Sequence, residues 1–253
     1  MHQQKASSFK VGAPELARLL TYPRYSEEEH SSRVAELLSL GLTEILLGGR
    51  TQVANVNIAG KGQVGIVVKA RFGDRICALK VRRTDANRET MDAEVRLHGI
   101  ANGVGVGAKL YGHSANFITM EFAKGANIVQ WAQEVTKEQA QEATASILEQ
   151  CYRLDRAGVD HGELSRVDRH VIIDESRPTI IDFESASTER RMSNVSAAGQ
   201  ALFVSGPVAT MLNKLVPVDR DVAVAALKKY KWDQTRANLE ELLALAGSRR
   251  AAF

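Results

Sequence analysis

The spacing of apolar residues near the start of the chain is that of a helix. Ser26 and Glu29 form the pattern of a capping box, in which each side chain bonds a backbone amide of the other residue. Apolar residues then recur on one helical face until Gly41, a residue suited to ending a helix. This pattern predicts an N-terminal helical extension over residues 1–52, ahead of the first strands.

The pattern then shortens to the alternation typical of β-strands. Residues 56–58, 64–72 and 76–81 are short runs that are β-branched or alternate between apolar and polar positions. Helical spacing returns at residues 88–101, and residues 117–122 form a further apolar strand.

From Thr136 onward the pattern is mainly helical. Thr136 and Gln139 form a second capping box, and an apolar stripe continues to Gly158. Two short strands, at residues 171–173 and 179–183, interrupt the helices. The rest of the chain is predicted to be helical.

These segments predict an α+β protein with two unequal lobes. After the extension, a β-rich segment spans residues 53–123 and a helical segment spans residues 124–253. A chain of 253 residues, of which 44% are hydrophobic and 25% charged, is long enough to give each lobe an apolar core.

The composition favours a cytoplasmic protein without a membrane segment. No apolar run reaches the roughly 18 residues that a spanning helix needs. Cys77 and Cys151 are the only cysteines, which is too few for a disulfide framework or a four-thiolate zinc site. Apolar residues flank both, so we expect both to be reduced and buried.

The chain is mildly basic, with a formal net charge of +3. Adjacent basic residues occur at Arg82-Arg83, Arg190-Arg191, Lys228-Lys229 and Arg249-Arg250. A nucleic-acid interface would show a denser basic stripe with interleaved aromatic residues. Solvated surface is therefore the favoured interpretation, and a nucleic-acid or ribonucleoprotein partner is only weakly indicated.

The first chemical motif lies between two predicted strands. Gly60, Gly62, Gly65 and Val67 match G-x-G-x-x-G-x-V, in which glycines let a backbone hairpin approach phosphate groups. A dinucleotide-binding fold would begin a helix at the third glycine, and a Walker A loop would end in G-K-[ST]. The strand that follows Gly65 instead favours a strand–loop–strand cover over ATP.

Lys80 lies inside the apolar strand that follows the glycine loop. Burying an ammonium group there costs free energy unless anions surround it, and the phosphates of ATP with a helix carboxylate would do so. Glu94, on the predicted helix, is the expected carboxylate, and Glu89 is its competitor. The alternative is an edge-strand lysine that points to water.

Directly after the long helix comes Asp160-His161-Gly162-Glu163-Leu164. This segment resembles the H-G-D-L catalytic loop of the RIO and KEOPS-associated small kinases, and more closely a group of archaeal predicted serine/threonine kinases with H-G-E-L-S. The resemblance covers about residues 55–205. It implies a two-lobed protein-kinase-like fold, with a β-rich N-lobe and a reduced helical C-lobe.

The resemblance also implies roles for acidic residues near this loop. Glu163 would orient and deprotonate an acceptor hydroxyl, with Asp160 as the alternative. The family pattern places a ligand of a second Mg²⁺ five residues later, at Asp168, which is a hard oxygen ligand. His170 competes by its place before the next strand, but imidazole is a poor ligand for Mg²⁺.

Two further segments resemble parts of the kinase fold. Asp182 and Phe183 resemble the start of a D-F-G segment, which makes Asp182 the principal Mg²⁺ ligand. The strand at residues 117–122 resembles the hinge between kinase lobes. Backbone groups of Glu121 and Ala123 would then bond the adenine edge of ATP.

The resemblance implies ATP- and Mg²⁺-dependent phosphoryl transfer to a serine or threonine hydroxyl, with autophosphorylation within residues 185–196 as an option. No A-P-E motif follows Asp182, as in the small kinases. An ATP-binding pseudokinase and a switch ATPase of ribosome or tRNA maturation remain the alternatives. The sequence does not identify a particular protein substrate.

Overall fold

A computed structural model describes residues 7–247. It combines a β-rich sheet region with helices, so the expected α+β class is confirmed at this level. The chain divides into two units. The first extends to Arg96 and includes Lys109–Phe122, and the second comprises Leu97–Ala108 and the chain from Ala123 onward. The basic pair Arg249-Arg250 lies outside the described residues.

Twelve strands are present among residues 7–247. They are β1 (Ser7–Lys10), β2 (Leu42–Leu47), β3 (Thr51–Val53), β4 (Val56–Ile58), β5 (Gly60–Lys61), β6 (Gly65–Phe72), β7 (Arg75–Arg82), β8 (Leu110–His113), β9 (Phe117–Glu121), β10 (Ala126–Asn127), β11 (Val171–Asp174) and β12 (Arg177–Ile180).

Ten α-helices accompany them in the same part of the chain. They are α1 (Ala17–Leu20), α2 (Glu27–Ser39), α3 (Asp92–Gly103), α4 (Ile128–Trp131), α5 (Lys137–Arg156), α6 (Val167–His170), α7 (Asn194–Gly199), α8 (Pro207–Leu215), α9 (Arg220–Trp232) and α10 (Arg236–Leu245). Short 3₁₀ turns occur at Pro14–Leu16 and Leu164–Arg166, and a π-helical turn occurs at Gln200–Val204.

The first unit is built on a seven-stranded antiparallel sheet. Its strands run in the order β1-β2-β6-β7-β9-β8, and β5 pairs with β6 as well. Apolar residues of the sheet pack with those of the N-terminal helices, as at Leu19, Leu37, Ile45, Val68 and Leu79, all of which are buried. This packing fixes the central strands β6 and β7.

The N-terminal residues are not a purely helical extension, which corrects the expectation for residues 1–52. Helix α2 is present, but β1 and β2 also lie there, and β2 pairs with β6 from Leu42 opposite Phe72 to Leu46 opposite Lys69. The N-terminal segment is therefore part of the first unit. Leucine and glutamate in β2 favour helix in isolation, and the long-range pairing with β6 overrides that preference.

The second unit is mainly helical and is centred on α5. The apolar stripe of α5, made by Ile147, Leu148, Cys151 and Leu154, is fully buried. A three-stranded sheet in the order β10-β11-β12 packs beside this core. As expected, Cys77 and Cys151 are both buried free thiols.

Within residues 7–247, no single helix has the length and apolar composition of a bilayer span. Only the bent pair Asn194–Val204 and Pro207–Leu215 passes that test, when its two parts are combined across a 65° bend.

Candidate functional site

The glycine loop folds as the predicted strand–turn–strand hairpin. Gly60 pairs with Val67 and Lys61 with Ile66, as β5 returns into β6. The backbone amide of Gly62 donates to the carbonyl of Gly65 at 2.7 Å, which closes the turn. The first two glycines, Gly60 and Gly62, therefore lie on this backbone hairpin.

Gly65 makes room for the side chain of Lys80. A Cβ atom at Gly65 would lie 3.0 Å from Cγ and Cε of Lys80 and 3.0 Å from the carbonyl oxygen of Val81. Lys80 pairs with Val67 in the register of β6 and β7. The loop and the lysine are thus adjacent because two neighbouring strands carry them.

Lys80 is buried, which excludes the interpretation as a solvent-facing edge lysine. Its Nζ lies 2.7 Å from Oε1 of Glu94, and the two side chains are only 4% and 2% exposed. Glu94 rather than Glu89 is therefore the carboxylate beside Lys80. Met91, one turn before Glu94 on the chain, packs with Val64 and anchors this end of α3.

The backbone amide of Glu121, one of the predicted hinge residues, already has a hydrogen-bond partner within the protein. This amide donates to the carbonyl of Lys109 at 2.8 Å, so this N–H group does not face a ligand. Glu121 ends β9, and Ala123 follows two residues later, where the chain enters the second unit. The hinge prediction for Glu121 therefore concerns its carbonyl group rather than its amide.

In the second unit, Asp160 holds two segments together. Its Oδ1 accepts hydrogen bonds from the amide and hydroxyl of Ser193 at 3.1 and 2.9 Å, and its Oδ2 lies 3.1 Å from Nε of Arg190. Its backbone exchanges two hydrogen bonds with Ser187. Because the side chain of Asp160 is only 6% exposed, against 22% for Glu163, Asp160 is the less accessible of the two carboxylates.

Glu163 is the more accessible carboxylate of the loop. Its side chain is 22% exposed; Oε2 lies 3.0 Å from Nε2 of His170, and Oε1 contacts the guanidinium group of Arg166. His170 therefore lies beside the carboxylate of Glu163, so its Nε2 is engaged there rather than free for a metal ion.

His161 braces the loop from inside the core. Its Nε2 lies 3.1 Å from the carbonyl oxygen of Ile181, and its backbone amide donates to the side chain of Asn194 at 2.8 Å. Burial, which disfavours the charged imidazolium, lowers the pKa of His161 to about 4. His161 is therefore neutral at physiological pH.

This pKa predicts a pH dependence of stability. Between about pH 6.5 and 4 an unfolded His161 binds a proton that the folded one excludes, so the free energy of unfolding falls as the pH falls through this window. The loss is at most about 3 kcal/mol. Urea titrations at pH 7, 6, 5 and 4.5 would measure this loss. The free energy of unfolding should fall less between pH 7 and 4.5 in His161→Gln than in the wild type, because glutamine does not titrate. Equal losses in the two proteins would contradict the prediction.

Asp182 has an uncommon backbone conformation. Its φ is +69°, in the left-handed region that non-glycine residues adopt rarely and often at functional positions. The predicted strand at residues 179–183 ends earlier, at Ile180, because the backbone turns out of the extended conformation at Asp182. The amide of Ile181 makes the last bond beside this strand, to the carbonyl of His170.

Phe183 fixes this turn by packing into the core of the second unit. It is fully buried, stacked on His98 with ring centroids 4.6 Å apart, and edge-on to His161 at 5.0 Å. Gly107 borders the same contact, since a Cβ atom there would lie 2.9 Å from the ring of Phe183. The side chain of Phe183 thus holds the backbone of its neighbour Asp182.

The predicted metal ligands are carboxylates of the second unit. Asp168 lies on α6 and is partly exposed, and Asp182 follows β12. Among residues 7–247, no group of three or more histidine, cysteine, aspartate and glutamate side chains is arranged around a common metal position. A Mg²⁺ site completed by phosphates and water needs only one or two protein carboxylates. The assignment of Asp168 and Asp182 to such a site stays a prediction.

Sequence reasoning missed a buried polar network behind the loop. The carboxylate of Asp155 accepts hydrogen bonds from the amides of Asn194 and Val195, the side chain of Asn194 and the hydroxyl of Tyr230. Burial still raises the pKa of Asp155. An acidic residue within the apolar stripe of α5 was the available signal, because a buried carboxylate needs partners.

No family model matches the chain. The chain is similar to the "Uncharacterized protein MJ1211" of Methanocaldococcus jannaschii, with 28% identity over 115 residues, which is 44% of this chain and 98% of that protein. The name of that relative states no activity.

Proposed function

We propose that the chain is a small, atypical protein kinase that transfers phosphate from ATP to a serine or threonine hydroxyl, its two units being the lobes of a kinase-like fold. The observation that carries the proposal is the buried ion pair of Lys80 and Glu94 below Gly65. A buried ion pair is often no more stabilising than apolar residues of similar size, so its presence calls for another reason. Binding the phosphates of ATP is such a reason.

The second unit contains the carboxylates that the proposed reaction would use. Asp182 and Asp168 would hold Mg²⁺, which neutralises the charge of the phosphates when bound. The left-handed backbone of Asp182 supports this assignment, since strained conformations concentrate at functional positions. Glu163, which is partly exposed, would orient the acceptor hydroxyl and take its proton.

Transfer of a labelled phosphate tests the proposal. Purified protein with γ-labelled ATP and Mg²⁺ should label itself or added dephosphorylated casein. Lys80→Ala should reduce the rate by at least about 100-fold, because it removes a cation from the phosphates. Glu163→Ala should also reduce the rate but leave ATP binding intact, which the shift in unfolding temperature on adding ATP measures.

The other outcomes assign other functions. Free phosphate without labelled protein would indicate a switch ATPase, and labelling of a metabolite would indicate a small-molecule kinase. ATP binding without any transfer would indicate a pseudokinase. One observation favours that last alternative: both carboxylate oxygens of Glu163 are engaged by Arg166 and His170.

A further inference from the structure

We propose that His170 is a positioning residue that, together with Arg166, holds the carboxylate of Glu163 at two points in the orientation needed by the acceptor hydroxyl. The inference rests on the proposed function. Nε2 of His170 lies 3.0 Å from Oε2 of Glu163, and the guanidinium group of Arg166 contacts Oε1. The two oxygens of one carboxylate therefore have two different partners.

Both partners belong to one short, anchored segment. Arg166 ends the 3₁₀ turn Leu164–Arg166, and His170 ends α6, which follows directly. Leu164, which begins the turn, and Val167, which lies between the two partners, are 1% and 0% exposed. Because buried apolar residues anchor the segment, the positions of both partners are set by the core of the second unit.

The imidazole ring of His170 is itself held in place. It is edge-on to the ring of His161, with centroids 5.4 Å apart, and its side chain is only 8% exposed. His161 in turn lies against the carbonyl of Ile181 and the ring of Phe183. A continuous series of contacts thus runs from Glu163 through the rings of His170 and His161 to Ile181 and Phe183, the two neighbours of Asp182 in the chain.

A histidine at this position is unfavourable for stability alone. Nδ1 of His170 is buried without a hydrogen-bond partner among the described residues. An apolar side chain of similar size would avoid that loss, since a buried polar atom without a partner destabilises the fold. The contact from Nε2 to Glu163 is the feature that an apolar residue would not supply.

The two contacts, to Arg166 and to His170, also account for a glutamate at position 163, where the H-G-D-L loops that this segment resembles carry aspartate. Glutamate has one more rotatable bond, so its carboxylate needs to be fixed before it can act on a hydroxyl. The longer side chain reaches both partners. An aspartate at position 163 would end one methylene short of them, and we expect Glu163→Asp to be slower than the wild type.

The test compares two replacements of His170. His170→Leu removes the donor, whereas His170→Gln places an amide nitrogen near the position of Nε2. With γ-labelled ATP and dephosphorylated casein, His170→Leu should lower kcat roughly 10- to 100-fold and leave KM for ATP within about twofold, since misplacing a reacting group affects the chemical step. His170→Gln should recover most of the rate.

A matched control shows whether replacing any buried histidine with leucine lowers kcat, or only replacing His170. Nε2 of His30, on α2 of the first unit, is also buried without a partner among the described residues. His30→Leu should leave kcat unchanged. His170→Leu should unfold at the same temperature as the wild type or higher, so that the activity falls while the fold does not weaken.

Three results would overturn the inference, and they are distinguishable. If the wild type transfers phosphate and His170→Leu does so equally fast, only the inference fails. If kcat and unfolding temperature fall together in both His170 variants, the role of His170 is structural. If the wild type transfers phosphate to no acceptor, the proposed function fails and the inference fails with it.

Discussion

Asp182→Asn should reduce the proposed phosphoryl transfer by at least about 10³-fold, because several kilocalories per mole of charge stabilisation would depend on the Mg²⁺ ion of the proposed site. Asparagine has nearly the same shape as aspartate but lacks the negative charge with which Asp182 would bind Mg²⁺ in the proposed site. It also tolerates the left-handed backbone better than most residues, and the φ of Asp182 is +69°. The fold should therefore persist while the activity is lost.

Asp182→Gly provides the complementary variant. Glycine adopts the left-handed conformation without a steric penalty, so this change removes the side chain without straining the backbone. We expect the same loss of transfer as with Asp182→Asn. Assays at several Mg²⁺ concentrations would show whether the loss follows metal binding, since a weakened site should recover in part at high Mg²⁺.

A second left-handed residue offers a matched control. Glu175, in the turn between β11 and β12, has φ +57° and an exposed side chain. Glu175→Gly makes the same kind of backbone change away from the proposed chemistry, and it should leave the transfer rate unchanged. Equal transfer by Asp182→Asn and the wild type would remove Asp182 from the proposed metal site.

Helices with local capping signals could be predicted closely from the sequence. The side chain of Ser26 accepts a hydrogen bond from the amide of Glu29, and Thr136 and Gln139 form both bonds of the capping box. Gly158, just after α5, has a φ of +71°. These features depend on residues a few positions apart, so the sequence alone contains the information.

Elements that depend on distant partners were harder to predict. Strand β2 was missed because six residues rich in leucine do not show whether they pair with β6 or continue a helix. Its flanking glycines, Gly41 and Gly48, were the available signal, since they leave too few residues for a typical helix.

In the candidate site, too, one contact could be predicted from the sequence and another could not. The pair of Lys80 and Glu94 could be predicted because a buried ammonium group requires a carboxylate and few were in reach. The position of His170 beside Glu163 was not predicted, because its place before the next strand was considered only as that of a competitor to Asp168 for a metal ion. Whether His170 contacts Glu163 depends on how the short segment between these two residues folds. That fold is set by the packing of its apolar side chains in the core, which the sequence does not show directly.

The largest expected loss of stability in the first unit concerns Arg33 on α2. Its side chain is fully buried, and burial lowers the pKa of its guanidinium group. Nε lies 2.6 Å from Glu29, one terminal nitrogen donates to the carbonyls of Leu20 and Arg82 at 2.6 Å each, and the other donates to the side chain of Asn116 at 3.1 Å. One side chain thus joins α2 to the end of β7 and to the turn before β9.

Arg33→Met should lower the free energy of unfolding by about 3–5 kcal/mol, the usual effect of removing one partner from a buried charged network. Arg33→Lys should be nearly as damaging, because a single ammonium group does not reproduce a planar fork with separate donors. Urea titrations followed by circular dichroism would measure both changes.

An exposed arginine of the same unit, Arg71 on β6, is the control for this prediction. Arg71 pairs with Glu44 at 3.0 Å, and both side chains are more than a third exposed. Arg71→Met should therefore cost less than about 1 kcal/mol. If Arg33→Met were equally mild, α2 would be a loosely attached extension. A large difference would instead make α2 a structural support of β7, the strand that positions Lys80, so that the N-terminal residues would be required for the proposed ATP site.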